Sequence, residues 1–394
     1  MKTLYIFTTN FPFANSENFL EEEIKYLSNR FNKIVILSFI NVKTSMRDVP
    51  SNCEVINIPL GHNRLLYILG GIFHPRTFIV TIKEFFRSKV YLSKVRFRSW
   101  GASVRYINNC LYNRKLRSVI FKMTPQDVCY FYWGIGQCLL SIILKDKVKL
   151  ISRFHGEWDL WEESYGGFHS LRTEVAHSLD KAVFIAKKGE KYFKTRYPYA
   201  KTIFSPLGTR DCGVQLPPVE DGVIRVLSCS SVIPLKRVSL IFDALNQLSE
   251  HKVEWYHIGD GPLFAQLQRK ILDESKPHLK VRLLGRYTNA QVLEFYATHH
   301  FDLFINLSTT EGVPVAIMEA MSFDIPVLAT DVGCTSEAVN KCVGELLPSN
   351  PSINEIKSSI ERILSSQYTP REYWMKHYNA EINYSSFAEM LYNL

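Results

Sequence analysis

The sequence predicts an α/β protein with two domains, each a parallel sheet flanked by helices. Short apolar runs typical of buried strands alternate along the chain with longer segments of helical spacing. A chain of 394 residues is long enough for two such domains. Residues 213–222, GVQLPPVEDG, have two prolines and two glycines and little periodicity, which indicates a linker. We therefore expect a first domain at 1–212 and a second beginning at 213.

The first domain is predicted to contain several buried strands, each ending at a polar or glycine-containing loop. These strands are expected at 3–8, 34–39, 128–133, 148–153, 182–186 and 202–205. Helical spacing indicates helices at 19–27, through the basic region 62–122, and at 187–197. Three glutamates lie in the first half of the 19–27 helix, where the helix dipole favours negative charge.

The second domain repeats the alternation of strands and helices. Strands are expected at 224–229, 253–258, 281–284, 303–307 and 325–329, with helices at 238–248 and 353–364. Between the last two strands, Gly312 and Pro314 are expected to open a helix that runs to Phe323. A proline in the first helical turn loses no hydrogen bond, because that N–H has no partner within the helix.

Glu319 is the only charged residue between Gly312 and Phe323, in a helix that is otherwise apolar all round and therefore buried. No lysine or arginine lies between Leu303 and Asn340, so no nearby cation can neutralise it. A ribose diol offers two O–H donors to one carboxylate, and the orphaned N–H groups of 312–315 suit a phosphate. The pattern thus indicates a nucleotide site. The alternative is that Glu319 is exposed and Glu311 an ordinary turn residue.

The same segment resembles the signature of retaining glycosyltransferase family 4. The likeness is carried by EGVP at 311–314, EAM at 319–321, PV at 326–327 and TDVGCTSE at 330–337, with seven residues between the two glutamates. The resemblance implies a GT-B fold, in which two Rossmann-like domains face a central cleft. It also implies that residues 213–370 form the donor domain and that a C-terminal helix at 371–394 crosses back onto the first domain.

The resemblance further implies a nucleotide-diphosphate sugar as donor substrate, with no cofactor. Lys236 is expected to hold the diphosphate, and Glu311 to contact the sugar. Relatives usually carry Gly-Arg where Ser230-Ser231 stand, so Arg237 is expected either to replace that arginine or to leave the diphosphate to Lys236 and the helix end. The expected donor-binding residues are Glu319, Gly312, Val313, Pro314, Val315, Ser231, Arg237, Gly259, Gly261, Gly285 and Arg286.

In the first domain the resemblance is patchier. It covers Phe11-Pro12, the glutamates at 21–23, Tyr132-Trp133 and His155-Gly156. His155 stands at a strand end beside glycine, and relatives place a similar histidine near the transferred sugar, so we expect it to be catalytic with Lys236 and Glu311. The expected acceptor-side residues are Asn15, Ser16, Glu17, Trp133 and Asp159. The usual glycine before Glu17 is here Ser16.

Positive charge is concentrated in the first domain. The net charge of +9 hides an excess of basic residues in 1–210 and an excess of acidic residues in 211–394. Residues 83–122 hold 11 basic side chains, one acid and several interleaved aromatics. This composition favours an anionic lipid surface and thus a lipid-linked acceptor. A solvated face without a partner is the alternative; nucleic acid is disfavoured, since no nucleic-acid-binding motif is recognised.

The sequence lacks the patterns typical of membrane-spanning, secreted and metal-binding proteins. No apolar run approaches the length of a membrane span, and residues 1–7 read as a strand rather than a signal peptide. The eight cysteines lack metal-ligand spacing, so we expect reduced thiols, no metal site and a cytoplasmic protein. The basic stretch adds the expectation that this protein is peripheral at the inner face of the membrane. We predict transfer of a sugar to a glycan or lipid-linked oligosaccharide in surface polysaccharide or lipopolysaccharide synthesis. The alternatives are a nucleotide-sugar epimerase and a non-catalytic nucleotide-sugar-binding subunit.

Overall fold

The computed structural model describes residues 2–14, 16–41, 45–61, 74–163 and 166–394. The chain divides into unit 1, residues 1–207 with 384–394, and unit 2, residues 208–383. The division falls at Gly208, ahead of the predicted 212/213 boundary. The cause is pairing with a segment distant in sequence, since the Thr209 N–H donates to the Tyr378 carbonyl at 2.9 Å and the Ala380 N–H donates to the Thr209 carbonyl at 3.0 Å.

Unit 1 contains a parallel sheet whose described strands run in the order β3-β2-β1-β4-β5-β6-β7. The strands are β1 (Thr3–Thr8), β2 (Lys33–Ser38), β3 (Cys53–Asn57), β4 (Val128–Phe131), β5 (Lys149–Phe154), β6 (Lys181–Phe184) and β7 (Thr202–Phe204). Strand β3 was not predicted, because it is a half-buried edge strand with mixed composition. The order reverses direction between β1 and β4, and ligands of open parallel sheets bind outside the carboxyl ends of strands at such a point.

The helices of unit 1 cover both faces of this sheet. In the described part of the chain they are α1 (Asn18–Arg30), α2 (Pro75–Arg87), α3 (Lys94–Tyr112), α4 (Arg114–Lys122), α5 (Ser141–Leu144), α6 (Glu157–Leu160), α7 (Arg172–Ser178) and α8 (Lys187–Arg196). Helix α1 buries Leu20, Ile24 and Leu27, which have the spacing of one helical face, against strands of the sheet.

Unit 2 contains a second parallel sheet with the order β10-β9-β8-β11-β12-β13 among its described strands. The strands are β8 (Val223–Cys229), β9 (Lys252–Ile258), β10 (Leu279–Gly285), β11 (Leu303–Asn306), β12 (Val327–Thr330) and β13 (Gly344–Leu347). Its helices are α9 (Val238–Leu245), α10 (Phe264–Glu274), α11 (Asn289–Ala297), α12 (Val315–Ser322), α13 (Thr335–Ala338), α14 (Ile353–Leu364), α15 (Pro370–His377) and α16 (Ala380–Tyr392). Helix α16 continues into unit 1.

Residues 371–394 form two helices with different partners instead of the single crossover helix that we predicted. Helix α15 packs on α12, and its Trp374 donates an indole N–H to the Thr209 hydroxyl at 2.7 Å, so this part belongs to unit 2. From Tyr384 onward the chain belongs to unit 1, where Phe387 and Leu391 are buried in its core. The crossover therefore begins inside α16.

The eight cysteines all lie in the described part of the chain, and none of them is in a disulfide there. Among the described residues, no helix has the length and apolar character needed to cross a membrane. The described residues likewise contain no group of three or more histidine, cysteine, aspartate or glutamate side chains that could hold a metal ion.

Candidate functional site

Glu319 lies in the middle of α12 and is 7% exposed. Its carboxylate accepts a hydrogen bond from the side-chain amide of Asn289, the first residue of α11, at 2.5 Å. Among the described residues no cation pairs with it. Burial raises the pKa of Glu319 to about 7, and the Asn289 amide opposes this rise only in part. The expected buried carboxylate without a cation is therefore present.

The mouth of α12 differs in detail from the prediction. The helix begins at Val315, and Pro314 is its N-cap residue, not a residue of its first turn. No side chain of a described residue caps this end. The N–H groups of Ile317 and Met318 donate to the Pro314 carbonyl, at 3.1 and 3.3 Å. Val315 and Ala316 precede them and are half-buried, so the amide-rich positive end of the helix stays reachable for a phosphate.

Lys236 and Glu311 come together at the carboxyl ends of the adjacent strands β8 and β11. The Lys236 ammonium lies 2.5 Å from one Glu311 carboxylate oxygen. The same oxygen accepts from the Ser308 hydroxyl at 2.6 Å and from the Asn306 amide at 3.3 Å. The backbone of Gly333 packs tightly against the backbone of Glu311, since a Cβ at Gly333 would lie 1.7 Å from the Glu311 carbonyl oxygen. Both predicted catalytic residues of unit 2 thus share one polar cluster.

Arg237, which the sequence offered as a replacement for the arginine missing at Ser231, is hydrogen-bonded to the backbone. Its guanidinium donates to the carbonyls of Leu307 at 2.5 Å, Ser308 at 3.0 Å and Ser349 at 2.9 Å. These hydrogen bonds hold the loop after β11 in place and engage the guanidinium with backbone carbonyls. Ser231 is exposed at the end of β8.

The predicted glycines of unit 2 shape the neighbouring loops. A Cβ on Gly259 would lie 1.8 Å from the Ser230 carbonyl oxygen, and one on Gly261 would lie 2.6 Å from that of Val232. These two glycines therefore allow two loops to pack against each other. Their expected part in donor binding remains a prediction. Gly285 adopts a left-handed φ of 70° and accepts a hydrogen bond from the Gly259 N–H. Arg286 is exposed beside it.

Glu17 organises the loop after β1. Its carboxylate accepts hydrogen bonds from the backbone N–H groups of Thr9 at 2.9 Å, Asn10 at 2.7 Å and Phe11 at 2.6 Å. Ser16 accepts a hydrogen bond from the Asn10 amide at 2.9 Å. Both side chains are thus bound within the loop. Asn15, the remaining acceptor-side residue predicted here, lies outside the described residues.

Trp133 connects this loop to His155. Its indole N–H donates to Glu17 at 2.7 Å, and its ring lies 4.5 Å from the His155 ring, centroid to centroid. The two ring nitrogens of His155 have no hydrogen-bond partner among the described residues, although Nδ1 lies 3.5 Å from a carboxylate oxygen of Asp159. Asp159 is buried and accepts from the backbone N–H groups of Gly134, His155 and Gly156, so its carboxylate is used to shape the loop. Its acceptor role remains a prediction.

Two contacts were missed by sequence reasoning. The pair Glu23–Arg153 is fully buried, with the centroid of the Phe387 ring 4.0 Å from the guanidinium carbon. Strand periodicity placed Arg153 at a buried position, but nothing in the sequence shows that Glu23 faces it across 130 residues. Asn289 was missed for the same reason. Its only signal is its place just after Thr288, the cap residue of α11.

The basic stretch 83–122 is exposed, and its single acid is not. Glu84 is buried and paired with Arg87, while all 11 basic side chains of the stretch are exposed. Large apolar side chains, each between 38% and 86% exposed, lie among and beside them. They are Phe78, Ile79, Ile82, Phe86, Tyr91, Leu92, Val95, Phe97, Tyr112 and Phe121. We call these residues, with the basic side chains around them, the basic–apolar surface.

Residues 217–380 match the family described as Glycosyl transferases group 1. Among curated proteins, an uncharacterized glycosyltransferase of Methanocaldococcus jannaschii is 26% identical over 141 residues, 36% of this chain and 38% of that protein. The putative teichuronic acid biosynthesis glycosyltransferase TuaC of Bacillus subtilis is 33% identical over 84 residues, 21% of this chain and 19% of TuaC. The O-antigen biosynthesis glycosyltransferase WbnH of Escherichia coli is 27% identical over 115 residues, 29% of this chain and 31% of WbnH. The chain thus spans less than two fifths of each relative.

Solved structures match the whole chain. The lipopolysaccharide outer core galactosyltransferase WaaB superposes with a TM-score of 0.71 at 16% identity, covering 99% of both chains. Anabaena HepE in complex with UDP and glucose superposes with a TM-score of 0.63 at 16% identity, covering 100% of both chains. These similarities confirm the predicted α/β architecture of two Rossmann-like domains.

Proposed function

We propose that the protein is a retaining glycosyltransferase of the glycosyl transferases group 1 family, whose model residues 217–380 match. It would move a sugar from a nucleotide-diphosphate sugar to a glycan or lipid-linked oligosaccharide, in surface polysaccharide or lipopolysaccharide synthesis. The observation that carries the proposal is Glu319, a buried carboxylate without a cation partner among the described residues, inside the segment that matches the family. Relatives named for teichuronic acid and O-antigen biosynthesis support the assignment to surface glycans.

The donor would bind to unit 2 through its nucleoside and its diphosphate. Glu319 accepts hydrogen bonds from the two ribose hydroxyls, and the hydrogen bond from the Asn289 amide holds the carboxylate in place. The diphosphate lies at the amide-rich end of α12 and is met by Lys236. The lysine is then shared between Glu311 and the diphosphate, because the two anions compete for one ammonium. A uridine nucleotide is the first candidate, since HepE is described with UDP.

The chemistry proposed for this site needs no nucleophile from the protein. The acceptor hydroxyl attacks the anomeric carbon from the face of the leaving group. The new C–O bond forms as the bond to the diphosphate oxygen breaks, and the hydroxyl proton passes to the diphosphate. Lys236 and the α12 amides stabilise the negative charge that develops on that oxygen. Glu311 contacts the transferred sugar from unit 2, and neither a metal ion nor a cofactor takes part. The catalytic role of His155 stays a prediction from the resemblance.

The acceptor would reach unit 1 from a membrane. The basic–apolar surface combines exposed lysines and arginines with exposed Phe86, Leu92 and Phe97. Cationic side chains are attracted to anionic headgroups by about 1 kcal/mol each, and apolar side chains gain by burial below them. We therefore propose a cytoplasmic protein that is peripheral at the inner face of the membrane.

The transferase proposal is tested by a donor screen followed by transfer. Thermal-shift measurements against UDP-, GDP- and ADP-sugars identify the base. The selected donor, labelled in its sugar, is then incubated with membranes of the source cells. We expect label in the lipid or polysaccharide fraction, with the donor's anomeric configuration kept in the product, and loss of transfer with Glu311→Ala or His155→Ala. An epimerised donor without transfer would instead support the epimerase. Donor binding without any catalysis would support a binding subunit.

Membrane association is tested by sedimentation with vesicles of phosphatidylglycerol and phosphatidylcholine at low salt. We expect the protein to sediment with the anionic vesicles, and the double variant Phe86→Ser, Leu92→Ser to lose most of this binding. Leu272→Ser is the matched control, because Leu272 is 79% exposed in unit 2, outside this surface. A wild-type protein that ignores the anionic vesicles would contradict the proposal.

A further inference from the structure

The side chain of Asn289 is not needed to begin α11, although Asn289 is the first residue of that helix. The N-terminus of α11 is capped by a reciprocal pair instead. The Thr288 hydroxyl accepts from the Gln291 N–H at 3.3 Å, and the Gln291 side chain accepts from the Thr288 N–H at 2.9 Å. Asn289 is exposed in unit 2, and its amide donates to a Glu319 carboxylate oxygen 2.5 Å away. Its side chain is therefore available for a role at Glu319.

The charge of Glu319 depends on this hydrogen bond. Glu319 is 7% exposed, and among the described residues Asn289 is the side chain that donates to its carboxylate. An N–H donor binds an ionised carboxylate more strongly than the neutral acid, so the Asn289 amide favours the charged form. Burial acts in the opposite direction and favours the neutral acid. One amide thus opposes the burial of one charge.

The titratable groups that face Glu319 from neighbouring elements are neutral. They are Cys229 at the end of β8 and Tyr296 on α11. Burial, assisted by the Glu319 carboxylate, raises the pKa of the Cys229 thiol to about 12. Burial likewise raises the pKa of the Tyr296 hydroxyl well above its usual range. Strands β11 and β12, which pack on α12, contribute no titratable side chain.

The charged residues around α12 are bound to other partners. On α15, which packs on α12, Arg371 pairs with Asp211 at 2.8 Å. At the mouth of α12, Lys236 pairs with Glu311 at 2.5 Å. The remaining ionisable side chains of α11 and α15 are exposed, apart from Tyr373, whose hydroxyl donates to a backbone carbonyl of α13. In the part of the chain that the structure describes, burial and the Asn289 amide therefore set the charge of the carboxylate.

We propose that Asn289 is a positioning residue of the nucleotide site, whose amide keeps Glu319 ionised at neutral pH and so able to accept the ribose hydroxyls. The inference rests on the proposed function for the identity of the ligand, and on the contact between the two side chains for the rest. Without the amide, Glu319 would hold its proton up to a higher pH. A protonated carboxyl group carries a donor where the diol needs an acceptor. Asn289 thereby sets the pH range in which the protein binds a nucleotide.

The first test compares Asn289→Ala with wild type by calorimetry with UDP, GDP and ADP between pH 6 and 9. A hydrogen bond to a charged group corresponds to about one to two pH units, so the midpoint of the pH dependence should move up by that amount. At pH 7 the variant should bind about tenfold more weakly, and the gap should narrow towards pH 9. Gln268→Ala, which removes another exposed amide from a helix of unit 2, is the control and should keep the wild-type profile.

The second test uses the ligand-free protein and needs no nucleotide. The melting temperatures of wild type, Asn289→Ala, Glu319→Gln and the double variant are compared between pH 5 and 9. Because the pKa of Glu319 is raised from 4.5 to about 7 in the folded chain, its carboxyl lowers stability as the pH rises through this range. In Asn289→Ala this loss of stability should continue to higher pH. In the Glu319→Gln background, Asn289→Ala should have the same small effect at every pH.

The two tests separate this inference from the proposed function. A loss of nucleotide affinity in Asn289→Ala that is equal at every pH would overturn the inference, because it would indicate a structural role instead of an effect on charge. Unchanged pH profiles in both tests would overturn it as well. Wild-type protein that binds none of the three nucleotides, with the unfolding profile shifted as expected, would leave the role of Asn289 at Glu319 standing and contradict the nucleotide site.

Discussion

Replacing Glu319 by glutamine should stabilise the ligand-free protein while weakening nucleotide binding. The substitution keeps the size of the side chain, and the glutamine oxygen can still accept the hydrogen bond from Asn289. It removes only the charge, which is buried and has no cation beside it among the described residues. A residue kept for ligand binding is expected to reduce the stability of the empty site.

The size and sign of the effect follow from the raised pKa. Burial moves the pKa of Glu319 from 4.5 to about 7, so the folded chain holds this proton more tightly than the unfolded chain. Below pH 4.5 the Glu319 carboxyl is protonated in both the folded and the unfolded chain and does not change the free energy of unfolding. Between pH 4.5 and 7 it lowers the free energy of unfolding increasingly, and above pH 7 the loss reaches about 3 kcal/mol. Glutamine avoids this cost at high pH only.

Thermal unfolding of wild type and Glu319→Gln between pH 5 and 8.5 measures the difference. We expect the variant to melt several degrees higher at pH 8 and the gap to shrink towards pH 5. Thr335→Val is the control, because Thr335 is also buried in unit 2 but carries no charge. Its effect on the melting temperature should not vary with pH. A variant that is less stable than wild type at pH 8, or a gap independent of pH, would refute the reasoning.

Three further outcomes are expected. Nucleoside diphosphate affinity should fall about tenfold from pH 8 to pH 6, because a diol binds the ionised carboxylate of Glu319 and its pKa lies near 7; calorimetry with no pH dependence would contradict this. Arg237→Met should destabilise unit 2 by about 1–3 kcal/mol in denaturant titrations, since three carbonyls lose their donor. An unchanged midpoint would show that these three hydrogen bonds do not stabilise unit 2. Lys236→Met should lower diphosphate affinity more than nucleoside affinity; an equal loss for both would place the lysine elsewhere.

Much of the fold could be predicted from the sequence, because buried parallel strands are short apolar runs between helical segments. The predicted strands at 3–8 and 303–307 correspond closely to β1 and β11. The failures lie where this signal is weak. Strand β3 is half-buried at an edge, and the boundary at Gly208 depends on pairing with residues 170 positions later. Neither feature is local, so a local pattern cannot reveal it.

The candidate site divides in the same way. The residues at strand ends, such as Lys236, Glu311 and His155, could be named because the carboxyl edge of a parallel sheet collects them. Their partners could not. The commitment of Arg237 to carbonyls, the amide of Asn289 on Glu319 and the saturation of Asp159 by backbone N–H groups depend on tertiary distances. Sequence reasoning therefore identified the reactive groups better than the contacts that position them.

The central claim is that Glu319 binds the ribose of a nucleotide. It is tested most directly by calorimetric Kd values of wild type and Glu319→Gln for the best-binding nucleoside diphosphate and for its 2′-deoxy counterpart. We expect wild type to prefer the ribonucleotide, Glu319→Gln to weaken its binding by about 10- to 150-fold, and the preference over the deoxynucleotide to nearly vanish in the variant. The same preference in both proteins would contradict the claim.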